Sequence, residues 1–268
     1  ILNITPNHLN RHHTMECYTE TKARVAMNQT KEQMCVLNYE DERLQQVAKN
    51  MSADVFWFSS ARELERGIFL RGEEIVCRDG EEITLCNIHD LKLLGMHNYE
   101  NVMAAAAIAH GMNVPWDVIR KVVCEFQAVP HRIEFVKEVN GVKYYNDSKG
   151  TNPDAAIKAV EAMVRPTIVI GGGYDKESVY DEWIASFGTK VKSLVLLGQT
   201  ADKIAEAAAK AGFTAVTKVD SLEEAVAECA RQAQDGDAVL LSPACASWGM
   251  FKNFEERGDL FKEYVKKL

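Results

Sequence analysis

VKYYNDSKGTNPDAAIKAVEAMVRPTIVIGGGYDK, residues 142–176, holds two short apolar runs, 142–146 and 167–170, separated by a helical stretch. The same beat continues through the apolar runs 193–197, 214–217 and 238–241, each followed by a helical segment except where the chain turns into a loop. Alternating strands and helices of this kind build a mostly parallel sheet with helices on both faces. In such a sheet, ligand-binding residues lie just past the carboxyl ends of the strands. Three segments occupy that position and are rich in functional side chains: 147–152, 171–176 and 242–247.

Toward the N-terminus the pattern is different. Residues 15–28 have a helical period that places Met15, Tyr18 and Val25 on the face carrying Lys22. Strands are expected at 34–38 and 54–59 with a helix over 41–50 between them. The segments GIFLRG, EEIVCRDG and EEITLCN, within 67–87, are separated by glycines and charged turns and predict a small meander or hairpin. Helices follow at 97–110 and 115–126, the second with Pro115 at its first turn. Residues 1–5 read as the end of a buried strand, from which an N-terminal region missing from this stretch is expected.

The composition excludes several classes. The chain has no apolar run of about 18 residues, so a membrane span is not expected, and its polar start does not resemble a signal peptide. A cytoplasmic location follows as the expectation. Seven cysteines without a C-x-x-C pair fit reduced thiols better than a disulfide framework or a zinc knuckle. A net charge of -8 disfavours non-specific nucleic-acid binding. Anionic ligands therefore require local basic residues.

Local chemistry narrows the candidates. In 146–155, NDSKGTNPDA, Thr151 or Asn152 can cap the next helix, with Pro153 at its first position. Asp147 and Lys149 are left over, either as a solvated pair or as contacts to a nucleotide or acyl-phosphate. Gly171, Gly172 and Gly173 follow a strand, but Lys176 stands where a dinucleotide fingerprint needs a further glycine. A tight turn presenting Lys176 to a carboxylate is the preferred reading, against a merely solvated lysine. LLSPACASWGMF ends a strand in small residues that let backbone N–H groups approach a ligand, with Ser242 and Ser247 adding hydroxyls. Cys245 has no base paired with it in sequence, so it is not expected to be a nucleophile.

His8 follows a strand end and is the best ligand candidate among the early histidines. Lys22, if held on an apolar face, would have a substantial neutral fraction, and a neutral amine can take up carbon dioxide to give an anionic oxygen ligand suited to Mg²⁺; the bland alternative is a snorkelling lysine. Asn98 and Asn101 lie one turn apart on a helix face, and Arg132 falls between the two halves. Amides suit a base edge and guanidinium suits phosphate, while helix-surface and linker roles remain open.

Taken together, NITPNHLNRH, Y-x-x-x-K, HNYEN, PHR, NDSKGTNPDA, GGGYDK, LLSPACASW and F-x-x-F-x-x-R-G resemble the Mur ligases along essentially the whole chain. The DSKGTN form is similar to the D-glutamate-adding members, rather than those carrying DYAHTPD or DSYNANP. The resemblance implies an α/β architecture: residues 1–128 the later part of a central P-loop-type ATPase domain, and 129–268 a Rossmann-like C-terminal domain with a mostly parallel sheet. It implies that Lys22 is a carbamylated lysine lying with His8 at Mg²⁺ sites, and that Asn98, Asn101, Arg132 and Asp147 hold ATP. It places Lys149 at the phosphates or acyl-phosphate, and Thr151, Lys176, Ser247 and Phe254 at the D-glutamate pocket. The expected partners are UDP-N-acetylmuramoyl-L-alanine and D-glutamate, with neither nucleic acid nor membrane, on a monomer.

The sequence departs from the family at Asn7, Asn10 and Gly249, where aspartate is usual. None of its 16 glycines is followed by lysine, so the stretch has no G-x-x-x-x-G-K-[ST] loop and is expected to be inactive alone. Two alternatives compete. A folylpolyglutamate synthase would carry a DGAHNP-like element in place of NDSKGTNP, and a non-catalytic amino-acid- or nucleotide-binding module of the same fold would have no use for metal and acyl-phosphate positions.

Overall fold

The computed structural model describes residues 1–5 and 9–268, without the side chains of residues 9 and 10. They form two compact units, Ile1–Phe126 and Gln127–Leu268.

In the first unit, α1 (Leu9–His12) and α2 (Met15–Ala23) precede β1 (Met34–Asn38), α3 (Glu42–Ala48), β2 (Asp54–Ser59) and β3 (Gly67–Arg71). Strands β1, β2 and β3 run parallel, and β3 continues into an antiparallel meander with β4 (Glu74–Asp79) and β5 (Glu81–Asn87). Gly72 and Gly80, at φ +59° and +79°, turn the two hairpins in the left-handed region where glycine carries no Cβ penalty. Asp41 caps α3 by accepting from the Arg43 and Leu44 amides, and its other oxygen accepts from Ile4 N at 2.6 Å. The meander is followed by α4 (Met96–Gly111), whose small buried Ala104, Ala106 and Ala107 permit close packing on β1 to β3, and by α5 (Trp116–Glu125).

The expected helix over 15–28 is shorter than its period suggested. It ends at Ala23, and a 3-10 turn over Arg24–Ala26 takes Val25 out of phase to 71% exposure. Lys22 is exposed as well, its ammonium 5.4 Å from the Tyr18 ring centroid. The apolar stripe that was to desolvate Lys22 does not form within this unit, because only Tyr18 of the three apolar residues is buried.

The second unit opens with a hairpin that joins an unexpected strand, β6 (Glu134–Val139), to the expected β7 (Val142–Asn146). Asn140 and Gly141 turn it, both at positive φ (51° and 76°), as a two-residue hairpin loop requires. The chain continues through α6 (Pro153–Ala162), β8 (Thr167–Gly171), α7 (Asp181–Ala185), β9 (Val191–Leu196), α8 (Ala201–Lys210), β10 (Val216–Lys218), α9 (Leu222–Gln232), β11 (Ala238–Leu241) and α10 (Phe254–Lys267). The sheet order is β10-β9-β8-β11-β7-β6, parallel except for β6. Val239 and Leu241 of β11 pack with Ile168, Ile170, Val142 and Tyr144 against Val226 and Cys229 of α9 and Phe261 and Val265 of α10.

Strand β11 returns to insert between β8 and β7, which reverses the direction of strand addition at that point. Leu241 is in register with both Ile170 and Asn146. The loops leaving β7, β8 and β11 therefore emerge side by side, at the kind of switch point where open α/β sheets bind ligands.

Candidate functional site

The loop after β7 is built around Asp147, 4% exposed. Its amide donates to Leu241 O at 2.7 Å, and its carboxylate accepts from Ser242 Oγ at 2.8 Å and from Ile133 N at 3.3 Å. Burial pushes this carboxyl up to about 7, against the opposing pull of the Ser242 hydroxyl, the Ile133 amide and the Arg132 and Arg257 charges. Gly150 is required beside it, since a Cβ there would collide with the Asp147 carboxylate. Both carboxylate oxygens thus serve the interior, and Ser242, expected to face a ligand, spends its hydroxyl on Asp147.

The next residues turn outward. Lys149 is exposed, its amide tied to His131 O at 3.0 Å and its ammonium 5.4 Å from the centroid of the Phe254 ring. Asn152, rather than Thr151, caps α6 by accepting from Ala155 N at 2.9 Å, with Pro153 at the first helical position. The Thr151 side chain, half-buried, does not serve as that cap.

After β8 the glycines let two neighbouring loops touch. Gly172 and Gly173 have φ +100° and +151°, and a Cβ on either would strike a backbone carbonyl, Leu197 O or Ala246 O respectively. Tyr174 N donates to Ala246 O at 2.9 Å, an antiparallel bridge that fixes the glycine loop against the loop after β11. Lys176 is exposed and lies over the Trp248 ring at 4.9 Å, while Asp175 is engaged by Lys203 at 3.1 Å, which holds its carboxyl below the usual range. Ser247 is 4% exposed, directly before Trp248.

Arg257 was not singled out from the sequence, although it stands in the F-x-x-F-x-x-R-G segment. Its guanidinium is 2% exposed and donates to Ser148 Oγ (2.9 Å), Ser148 O (2.8 Å) and Cys245 O (3.2 Å). Burial lowers its pKa to about 10. The Ser148 hydroxyl in turn donates to Phe254 O at 2.7 Å, so α10 is fastened to the loops after β7 and β11. His131, equally unexpected, is 7% exposed, 3.1 Å from Asn146 Nδ2 and edge-on to Phe254. An arginine near the start of an amphipathic helix reads as solvated, and only its pairing with the small Gly258 hinted at close packing.

Cys245 is buried, with its thiol pushed up by burial, and 3.1 Å from Tyr180 Oη, which agrees with its rejection as a nucleophile. Arg132 is exposed, next to the buried His131. In the first unit Asn98 is 8% exposed and donates to Leu94 O at 2.8 Å, while the exposed Asn101 donates to Asn98 Oδ1 at 3.5 Å. Asn98 thus holds the start of α4, and Asn101 carries the amide that a ligand could reach. His8 lies outside the described residues. Among the described residues no three His, Cys, Asp or Glu side chains cluster as a metal site, and no helix is long and apolar enough to cross a membrane.

In the second unit, then, an exposed lysine on each of two loops, a hydroxyl on each side and a half-buried phenyl ring border one edge of the sheet. Such a surface can take a small dianion by its charges while the buried Arg257 and Asp147 fix the loops beneath.

Comparison with known proteins bears on this surface. Residues 1–109 match the Mur ligase middle domain, and residues 131–245 match the Mur ligase, glutamate ligase domain. The chain is similar to the UDP-N-acetylmuramoylalanine--D-glutamate ligase of Lachnoclostridium phytofermentans, 60% identical over all of this chain and 59% of the relative. With the ligase of the same name from Clostridioides difficile it is 48% identical, at 100% and 59% coverage. The chain thus spans about 59% of the length of these relatives. Among solved structures, the UDP-N-acetylmuramate-alanine ligase of Thermotoga maritima superimposes with a TM-score of 0.71 at 15% identity, covering all of this chain and 59% of that one. A UDP-N-acetylmuramoylalanyl-D-glutamyl-2,6-diaminopimelate--D-alanyl-D-alanyl ligase from Acinetobacter baumannii gives 0.67 at 16% identity, with 99% and 58% covered. These structural likenesses establish the fold.

Proposed function

Because the chain belongs to the Mur ligase family, we propose that it forms the middle and C-terminal parts of an ATP-dependent ligase adding D-glutamate to UDP-N-acetylmuramoyl-L-alanine, in peptidoglycan precursor synthesis. The observation that carries this reading is the convergence of three loops, after β7, β8 and β11, which carry the exposed Lys149 and Lys176, the half-buried Thr151 and the buried Ser247 along one sheet edge. The relatives named for D-glutamate addition match over the whole of this stretch.

In the reaction so assigned, a substrate carboxylate oxygen takes the γ-phosphoryl group of ATP and ADP leaves. The amine of D-glutamate then attacks the acyl carbon, losing a proton as phosphate departs with the acyl oxygen. Lys149, exposed and steadied over Phe254, offsets negative charge on the acyl-phosphate. Lys176, Ser247, Thr151 and the Phe254 ring hold D-glutamate, cation and hydroxyls to its carboxylates and the ring to its methylenes. Asn101 and Arg132, each exposed in its own unit, contact the nucleotide. Asn98 and Asp147 support them from the interior, since their polar atoms are already engaged. The described residues do not by themselves form a Mg²⁺ site, and His8 with the exposed Lys22 are its proposed ligands, where the ion would offset phosphate charge. Without a G-x-x-x-x-G-K-[ST] loop, the 268-residue stretch does not turn over alone.

The deciding experiment measures phosphate release by the full-length gene product with ATP, Mg²⁺ and UDP-N-acetylmuramoyl-L-alanine. D-glutamate is compared with L-glutamate, L-lysine, diaminopimelate and glycine. Release with D-glutamate alone is expected. Release with another amino acid keeps the ligase and rejects the pocket, whereas no release with any of them favours a non-catalytic binding module, a reading that the exposure of Lys22 would suit.

A further inference from the structure

Thr200 lies outside every motif that pointed to the site, at the N-cap of α8, and is 1% exposed. A threonine at an N-cap ordinarily accepts from an amide of its own helix, yet the Thr200 hydroxyl makes no such bond. It faces the loops instead. Oγ1 accepts from Gly173 N at 3.0 Å and stands 3.2 Å from Cys245 Sγ and 3.3 Å from Gly173 O. Thr200 N also donates to Gly173 O at 3.2 Å, so the two residues are paired in both directions.

Neighbouring groups extend these buried contacts into a network. Tyr180 Oη is 3.1 Å from the same Cys245 sulfur, and Arg257 donates to Cys245 O. One residue beyond Gly173, Tyr174 N bonds to Ala246 O, and two beyond, Asp175 N bonds to Gln199 Oε1 at 3.3 Å. Gly198, at φ +79°, sits so close that a Cβ would lie 3.0 Å from Gly173 Cα. The turn 198–200 therefore backs the glycine loop, and the Thr200 hydroxyl reaches both that loop and the one after β11.

We propose that Thr200 is a positioning residue of the amino-acid pocket, setting through Gly173 and Cys245 the spacing between the loop that carries Lys176 and the loop that carries Ser247. The inference rests on the reading of Lys176 and Ser247 as D-glutamate contacts. Those residues stand three and two positions beyond the atoms Thr200 holds, so a shift at Gly173 or Cys245 is passed to both. Threonine suits the task because one oxygen accepts the Gly173 N–H while its proton remains for Cys245 Sγ or Gly173 O. Valine has the same shape and neither capacity, and would leave the buried Gly173 amide without its acceptor.

The test uses the full-length enzyme with Thr200→Val, Thr200→Ser and Cys245→Ala. Thr200→Val is expected to raise KM for D-glutamate by about tenfold, the loss of roughly one well-made buried hydrogen bond, and to leave KM for ATP within about twofold. Thr200→Ser, which keeps the hydroxyl, restores the D-glutamate KM, and Cys245→Ala shifts it in the same direction as valine by a smaller factor. Amide hydrogen exchange across 172–176 and 244–248, read without substrate, should speed up in Thr200→Val and return with serine. A lower melting temperature with both KM values unchanged would mean that Thr200 only stabilises the fold, and would overturn the proposal. Unchanged exchange in both loops would overturn it as well. If the wild-type enzyme does not use D-glutamate, the assignment of the pocket fails on its own, and the exchange data still decide whether Thr200 holds the two loops. If Thr200→Val does not fold, the KM and exchange shifts of Cys245→Ala decide instead, and their absence overturns the proposal.

Discussion

The ammonium of Lys176 lies 4.9 Å from the centroid of the Trp248 ring, whose centroid is 5.6 Å from that of Tyr174 in a T-shaped pair. All three side chains are exposed, so the arrangement directs the lysine rather than stabilising the unit. A cation over an indole face in water is worth about 0.5–1 kcal/mol. Trp248→Ala is therefore expected to weaken D-glutamate about two- to fivefold, since a factor of ten corresponds to about 1.4 kcal/mol. Trp248→Phe should be milder, and Lys176→Ala should cost far more for D-glutamate than for ATP. Steady-state kinetics of the full-length enzyme with each substrate varied gives the comparison. Equal losses for both ligands would defeat the role assigned to Lys176.

Gly258 tests the packing beneath the pocket. It lies within α10, where alanine is intrinsically better by about 1 kcal/mol, but a Cβ there collides with His131 Nδ1 and lies 3.0 Å from Asn146 Nδ2. Overpacking of this kind costs about 1–3 kcal/mol, so the clash outweighs the propensity. Gly258→Ala should lower the melting temperature. Adding His131→Ala should recover part of the loss, making the double variant more stable than the sum of the two single effects. Strict additivity in thermal melts would show that His131 is not what the methyl group meets.

Much of the second unit was legible because its strands are continuous apolar runs that end in polar or glycine clusters, the pattern of a doubly covered sheet. β6 escaped because EFVKEV alternates weakly and carries three charges, although Asn140-Gly141 marked the hairpin. In the first unit the period over 15–28 suggested a longer helix, but nothing in that pattern distinguishes a continued α-helix from the 3-10 turn that exposes Val25. Lys149, Lys176, Thr151 and Ser247 were legible as polar residues past strand ends. Their supports were not. Arg257, His131 and Thr200 act through partners between 12 and more than 100 positions away, such as Cys245 and Ser148 for Arg257 and Asn146 for His131. Sequence period reports which face a residue takes, and it carries no information on which distant carbonyl or hydroxyl it will meet.

Lys22 calls for a direct test, since its side chain is exposed within the first unit and the burial that would favour a neutral amine is not supplied there. If it works as a carbamate, the activity of the complete enzyme should fall when carbon dioxide is removed and return with bicarbonate. Lys22→Arg, which keeps a positive charge but cannot form the carbamate, should lose activity in either buffer. Undiminished turnover in degassed buffer would remove the carbamate from the reaction and leave Lys22 as a cation near Tyr18.

Asp147 sets a pH dependence whose direction can be worked out. Its carboxyl is raised from 3.8 to about 7 in the folded chain, chiefly by burial. Between those values the unfolded chain has released the proton while the folded chain retains it, so folding stability falls as pH rises through that window and levels off above it. A rise of about three units at about 1.4 kcal/mol per unit gives a loss on the order of 4 kcal/mol across the window. Asp147→Asn keeps an acceptor for Ile133 N and a donor for Ser242 Oγ and cannot ionise. It should abolish this slope in urea melts between pH 4.5 and 7.5, so that near pH 8 the variant is at least as stable as the parent. In the full-length ligase the same variant should be slower if Asp147 supports the proposed nucleotide contacts, because it removes the charge that acts on Arg132 and Arg257. Parallel pH–stability curves for parent and variant would show that Asp147 ionises as readily folded as unfolded, and its burial would then need another cation to account for it.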